Sequence, residues 1–184
     1  LLQEGVKTNV HYVISKSSVR EAIQLLTEDG FPNGINAVVF LLHKPVGLGT
    51  QEELITKENE DFHEFLELID SKEFPYRIGF DSCTVPALIF RESTDKRCLD
   101  TCEGARFSAY ISADMQMMPC SFDNQQKRWS VDLRKYSIRE AWNSAEFDRF
   151  RKQLQTACPQ CSRRKECMGG CPICPEIILC REKG

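Results

Sequence analysis

The distribution of cysteines constrains this chain more than any other feature. Ten occur in 184 residues, and six of them, Cys158, Cys161, Cys167, Cys171, Cys174 and Cys180, fall in the last 27. Cys98 and Cys102 form a close pair upstream, Cys120 lies between the two groups, and Cys83 precedes them all. The core of the C-terminal set reads Cys158-x2-Cys161-x5-Cys167-x3-Cys171, with Cys180 trailing. Spacings this short wrap a loop around a compact centre and point several thiolates at it. A bridged CxxC pair would be a strained, reducible link, so the pattern suits metal coordination better than structural disulfides. A 4Fe–4S cluster takes four thiolates, and the candidates here suffice for two such clusters.

The length permits one or two domains with a real core, so no staple is needed merely to hold a fold. A formal charge of −3 and a pI of about 5.7 argue against a nucleic-acid or membrane-surface partner. There is no run of eighteen apolar residues, and Leu1-Leu2-Gln3-Glu4 is no signal peptide. The expectation is a cytoplasmic protein, where many cysteines favour metal or redox chemistry over a disulfide framework. A start at Leu1, almost at once followed by an apolar strand, reads as a piece of a longer protein whose earlier part is missing.

Val6 to Ser15 is rich in β-branched and aromatic residues and predicts a strand. Ser18 with Glu21 predicts a capping box for a helix whose apolar face carries Val19, Ala22, Ile23 and Leu26, ended by Gly30. Gly34 to His43 is a near-continuous apolar run, as in a parallel strand buried on both faces. Thr56 to Ser71 predicts a second helix facing inward with Phe62, Phe65, Leu66 and Ile69, and Tyr76 to Asp81 a third strand. Strands alternating with helices imply crossovers and a parallel sheet, an α/β unit. The pattern breaks around residues 84 to 97, which divides the chain into 1–90 and 91–184.

Beyond the break, Phe107 to Ile111 and Met115 to Met118 flank Ser112-Ala113-Asp114 as a hairpin, and Trp129 to Leu133 adds a strand. Ser137 with Glu140 predicts a second capping box, for a short helix with Ile138, Ala141 and Trp142. A helix from Ser144 to about Thr156 carries Phe147, Phe150 and Leu154 and delivers the chain to Cys158. The apolar stripes read as core packing. His11 and His43 on buried strands, and His63 on a helix, read as structural histidines, since none has a partner at metal spacing. Arg163-Arg164-Lys165 reads as a solvated loop, or as positive charge offsetting an anionic thiolate centre or docking a redox partner. Gly169 and Gly170 let the backbone approach a centre and donate N–H groups, while Pro119, Pro159 and Pro172 stiffen the approach of neighbouring cysteines.

Cys102-Glu103-Gly104-Ala105-Arg106-Phe107, Met118-Pro119-Cys120-Ser121-Phe122, Ser137-Ile138-Arg139-Glu140-Ala141-Trp142, and the run from Cys158 through Cys167-Met168-Gly169-Gly170-Cys171-Pro172 together resemble the SPASM domain. That domain is the C-terminal extension of radical S-adenosylmethionine (SAM) enzymes, among them anaerobic sulfatase-maturing enzymes and maturases of ribosomally made peptides. The resemblance covers roughly residues 98 to 180 and is sharpest in the last third. Residues 1–83 are similar to the closing units of the partial (β/α) barrel that precedes SPASM, so the implied fold is α/β followed by a small cysteine-rich α+β domain. The resemblance implies two auxiliary 4Fe–4S clusters. Cys102, Cys120 and Cys171 belong to the first, completed by Cys98 or Cys83, and Cys98 is nearer the usual spacing. Cys158, Cys161 and Cys167 belong to the second, completed by Cys180 in preference to Cys174. The family has a Gly where this chain has Met115, so the hairpin turn is expected to differ. Some relatives leave a first-cluster coordination position open for substrate.

Cys167-x3-Cys171-x2-Cys174 has the CxxxCxxC spacing of the catalytic radical SAM cluster, but that motif follows the first barrel strand, and only ten residues follow Cys174 here. The implied function is the auxiliary cluster portion of an enzyme modifying a peptide or protein. Its clusters would position substrate or transfer electrons, with an electron-donor protein as a further partner and no catalytic residue in this stretch. S-adenosylmethionine and a third 4Fe–4S cluster belong to the full-length parent, and the stretch alone is expected to be inactive. The alternatives are a zinc-stabilised interaction module using the same thiolates and a stand-alone ferredoxin-like electron carrier.

Overall fold

A computed structural model describes residues 2–154, 158, 160–177 and 179–180. The fold is mixed α/β, with a three-stranded parallel sheet followed by a small three-stranded antiparallel sheet. The parallel sheet comprises β1 (Asn9–Ile14), β2 (Ala37–Leu42) and β3 (Arg77–Phe80) in that order. Asn9 is in register with Ala37, and Ala37 in turn with Arg77. Helix α1 (Val19–Thr27) connects the first pair of strands and α2 (Glu60–Ser71) the second.

The apolar spacing explains how the layers meet. Val19, Ala22 and Leu26 on α1, and Phe62, Phe65 and Leu66 on α2, are buried against Ile14, Val38, Phe40 and Leu42 of the sheet. Phe65 meets Phe40 edge-on, with ring centroids 4.8 Å apart. Each such fully buried side chain contributes roughly 1.5–3 kcal/mol relative to an exposed one. Among the described residues no helix covers the opposite face of the sheet. Val13 and Leu41 look instead onto the wall of a large cavity. His11 is exposed, contrary to the buried strand expected for it, because β1 is an edge strand and His11 points away from the helices. His43 Nε2 sits 3.0 Å from the Thr50 carbonyl and His63 Nε2 2.6 Å from that of Lys57, both structural contacts.

Three predicted helix ends are corrected. Ser18 does not cap α1, since its backbone is already helical (φ −93, ψ −12) and its Oγ cannot reach over the first turn. Its Oγ accepts from Ser15 N and donates to Val13 O instead, while the Glu21 carboxylate accepts from Tyr12 Oη. Helix α2 begins at Glu60 rather than Thr56, because the Asn59 side chain accepts from Phe62 N and sets the start there. Asp29, not Gly30, takes the left-handed conformation after α1. A Cβ added at Gly30 would lie 2.7 Å from Leu25 Cδ2, the end of a side chain that can turn aside.

Residues 85–88 form a short helix, α3 (Val85–Leu88), and the antiparallel sheet follows with β4 (Tyr110–Ile111), β5 (Gln116–Met118) and β6 (Val131–Asp132). Met115 accepts the left-handed backbone the hairpin turn requires, with φ 60. The Ser137–Glu140 capping box forms as expected and opens α4 (Ile138–Trp142), although Ile138 is exposed. Helix α5 (Ala145–Gln153) buries Phe147 and Phe150 against Met117, Trp129 and Val131. The expected extension to Thr156, and Pro159, lie outside the described residues. The chain then enters α6 (Arg164–Cys167), so Arg164 and Lys165 begin a helix rather than a loop. Cys174, Ile177 and Leu179 return to the first core, joining the end of the chain to the parallel sheet. Among the described residues no helix is long and apolar enough to cross a membrane.

Candidate functional site

Two regions gather thiols. The larger is a cavity of about 850 Å³ between the open face of the parallel sheet and the antiparallel hairpin, and Cys83, Cys102, Cys120 and Cys171 line it. Cys83 comes from a short 3-10 turn, Ser82–Thr84, directly after β3. Asp81 caps that turn, its Oδ1 accepting from Thr84 N and Thr84 Oγ1. Cys102 precedes the hairpin and Cys120 follows β5. Gly104 brings these two segments together, since an added Cβ would stand 2.9 Å from the Pro119 carbonyl and 3.0 Å from Phe150.

The smaller pocket is lined by Cys158, Cys161, Cys167 and Cys180, with Pro86, Phe90, Arg164 and Gly169. Adjacent residues of the C-terminal loop thus serve different sites. Met168, Gly169 and Gly170 all have positive φ, at 56, 83 and 90. Three successive left-handed residues reverse the chain, so Cys167 faces one site and Cys171 the other. Only glycine adopts such a conformation freely, which is why the pair follows the methionine. Thr101 Oγ1, buried, donates to the Cys167 carbonyl at 2.8 Å and ties the loop to the segment before Cys102.

The backbone around these cysteines is turned toward sulfur. Gly104 N–H donates to the Cys102 sulfur, Phe122 N–H to Cys120, Gly169 and Gly170 N–H to Cys167, and Ile173 and Cys174 N–H to Cys171. Arg163 N–H reaches Cys161 Sγ at 3.4 Å. Such amide donors stabilise sulfur that carries negative charge and tune a metal held by it. The thiols of Cys83, Cys102, Cys120, Cys167 and Cys180 resist ionisation. Burial, chiefly, pushes Cys102 up to about 12 and raises Cys120 and Cys167. Burial likewise raises Cys180, with repulsion from Cys158 and Cys161 adding to it. Cys83 is raised furthest, first by its hydrogen bond to Cys171 and then by burial. Grouped, buried thiols with amide donors aimed at them become thiolates when a metal supplies the positive charge, and they fit an iron–sulfur group. Among the described residues no three His, Cys, Asp or Glu side chains converge on one point as for a single metal ion. In a cubane each iron takes its own thiolate, so grouping around a cavity is the relevant geometry.

Two cysteines lie outside both linings. Cys98 is exposed and borders a different cavity, with Leu99 and Asp100. Cys174 is buried in the first core, where it accepts a hydrogen bond from the Cys171 thiol that lowers its own pKa. The three members of the CxxxCxxC spacing therefore do not share one site: Cys171 and Cys174 are hydrogen-bonded beside the large cavity, whereas Cys167 borders the small pocket. Two charged residues of the large cavity, Lys44 and Asp81, carry no motif in the sequence. The one available signal is a lysine set at the end of an apolar strand.

Residues 102–172 match the SPASM family, an iron–sulfur cluster-binding domain. No curated protein shows a significant match. Among solved structures, Streptococcus suis SuiB bound to S-adenosylmethionine is similar with a TM-score of 0.65 at 17% identity, over 98% of this chain and 46% of that one. A second structure of S. suis SuiB is similar with a TM-score of 0.62, at the same identity and coverage. The chain thus spans just under half the length of the solved proteins it matches. Residues 102–172 are thus similar to the SPASM iron–sulfur cluster-binding domain, within a fold similar to that of SuiB.

Proposed function

We propose that this chain is the auxiliary-cluster portion of a radical SAM enzyme that modifies a peptide or protein. Residues 1–90 would be the closing units of its partial barrel and residues 91–184 its cluster domain. The observation that carries this reading is the sorting of eight cysteines into two groups of four that interleave along the sequence. A parallel sheet covered by helices on one face and open to the cavity on the other is what a barrel segment presents. In this reading Cys83, Cys102, Cys120 and Cys171 hold the first 4Fe–4S cluster, and Cys158, Cys161, Cys167 and Cys180 the second.

Bound clusters supply one-electron transfer or an iron site for substrate. The chain's own residues do the rest. The amides of Gly104, Phe122, Ile173 and Cys174 hold the first set of sulfurs in place, and those of Arg163, Gly169 and Gly170 the second. Val13, Leu41 and Pro172 keep the cavity wall apolar beside the thiols, where a substrate segment would lie.

The test is Cys171→Ala in anaerobically reconstituted protein, scored by iron and acid-labile sulfide. Loss of about half of both, with the absorbance of one cluster retained, supports the interleaved assignment. Loss of both clusters together, or of neither, refutes it. A colourless wild-type chain holding stoichiometric zinc would favour the interaction-module reading instead.

A further inference from the structure

Lys44 lies two residues past the end of β2, and its side chain is 1% exposed. A buried ammonium is costly unless compensated, so its surroundings are informative. Nζ lies 3.4 Å from Asp81 Oδ2, 3.4 Å from the Leu42 carbonyl, and 4.6 Å from the centroid of the Phe122 ring. It also contacts the Cys83 sulfur and sits close to Cys171. Both oxygen contacts exceed the roughly 2.7–2.9 Å of a tight charge-assisted bond. Asp81 is already engaged elsewhere, with Oδ1 on Thr84 and Oδ2 also accepting from Leu42 N. The ammonium is therefore centred among sulfurs, a carboxylate and an aromatic face, not docked on one anion.

Three segments converge on it: the end of β2, the turn bearing Cys83, and the turn after Cys120 that carries Phe122. Each of the last two also presents a thiol of the large cavity. We propose that Lys44 is a positioning residue whose buried ammonium is the fixed counter-charge of the first cluster, raising that cluster's reduction potential, with Asp81 as its opposing partner. The inference rests on the iron–sulfur reading above. When one electron enters, negative charge increases by one while no bond forms or breaks and no proton moves. A fixed cation at the thiolates favours the reduced state because little solvent lies between them.

The test is a potentiometric titration with dithionite, followed by electron paramagnetic resonance, on the reconstituted chain. Cys171→Ala identifies which signal belongs to the first cluster. In Lys44→Met the first-cluster midpoint should fall enough to change the reduced-to-oxidised ratio at least about tenfold, equivalent to about 59 mV for one electron. Lys44→Arg should stay near wild type, Asp81→Asn should move the midpoint upward, and the second cluster should not move in any variant. An unchanged first midpoint in Lys44→Met, or equal shifts of both clusters, overturns the proposal. If Lys44→Met fails to fold or load, Asp81→Asn decides: a rise supports the proposal, and no change or a fall overturns it. A wild-type spectrum without iron–sulfur absorbance sinks the underlying reading and this inference with it, before any titration.

Discussion

Gly104→Ala should damage the first thiol site through the backbone alone. The added Cβ would stand 2.9 Å from the Pro119 carbonyl oxygen and 3.0 Å from Phe150 Cε1. The ring can tilt away, but the carbonyl is main chain and directly precedes Cys120. Relief therefore requires the segment of Cys102 and that of Cys120 to separate, and both line the same cavity. Overpacking of this kind costs about 1–3 kcal/mol. At about 2–4 °C per kcal/mol for a chain of this size, the melting midpoint should fall by roughly 2–12 °C. The Gly104 amide that donates to the Cys102 sulfur moves with the distortion, so iron content should fall as well. Gly79→Ala is the matched control, because there a Cβ meets Val39 side-chain carbons and the Val38 carbonyl only at ordinary contact distance, 3.5 Å or more. That control should be neutral or stabilised by about 0.5–1 kcal/mol, since alanine is less costly than glycine within a strand. Differential scanning calorimetry and iron analysis under nitrogen measure both effects. Wild-type melting and full iron in Gly104→Ala would show that the close approach of Gly104 to Pro119 is wrong.

Cys98→Ser should leave iron content unchanged and stability within about 0.5 kcal/mol, as for other exposed positions, whereas Cys83→Ser should lose the first cluster; the reverse outcome would exchange their roles. Glu53 accepts from Ser15 Oγ, Ser17 N and Ser17 Oγ, and these bonds hold its carboxyl at about 2, below an ordinary 4.5. Its folded pKa is depressed, so its contribution is present above about pH 4.5 and lost as pH falls toward about 2. Acid-unfolding curves of wild type and Glu53→Gln should therefore differ most above pH 4.5 and converge near pH 2; a constant gap across that window refutes the linkage. The reduced, reconstituted chain should form no 5′-deoxyadenosine from S-adenosylmethionine, because Cys167, Cys171 and Cys174 do not share a site; detecting it by chromatography would return those three to a catalytic motif.

Much of the fold was legible because it is written in local periodicity. The apolar run around Phe40 announced a buried strand, and the i, i+3, i+7 spacing of Val19, Ala22 and Leu26 announced a helix with one buried face. The Ser137–Glu140 box formed because both partners lie within one turn. The same signature failed at Ser18, where Ser15 and Val13 compete for the hydroxyl and Tyr12 for the Glu21 carboxylate. Those competitors are fixed by how β1 packs on α1, which a four-residue pattern does not contain.

The cysteine sites divide in the same way. Short spacings by themselves determined that the C-terminal loop turns tightly and presents several thiols, because a few residues can only reach so far. The Gly169-Gly170 pair marked where the chain reverses, since left-handed backbone is open chiefly to glycine. Only the tertiary structure decided that Cys83 rather than Cys98 borders the large cavity. The resemblance left the two open, with Cys98 nearer the family's usual spacing, but the turn after β3 is carried there by the parallel sheet, while Cys98 sits on an exposed turn. Packing likewise buried Lys44 among the thiols, a position no spacing records. The reason is physical: a spacing limits which neighbours a side chain can meet within a few residues, whereas its partners from distant segments are chosen by which faces bury their apolar surface together.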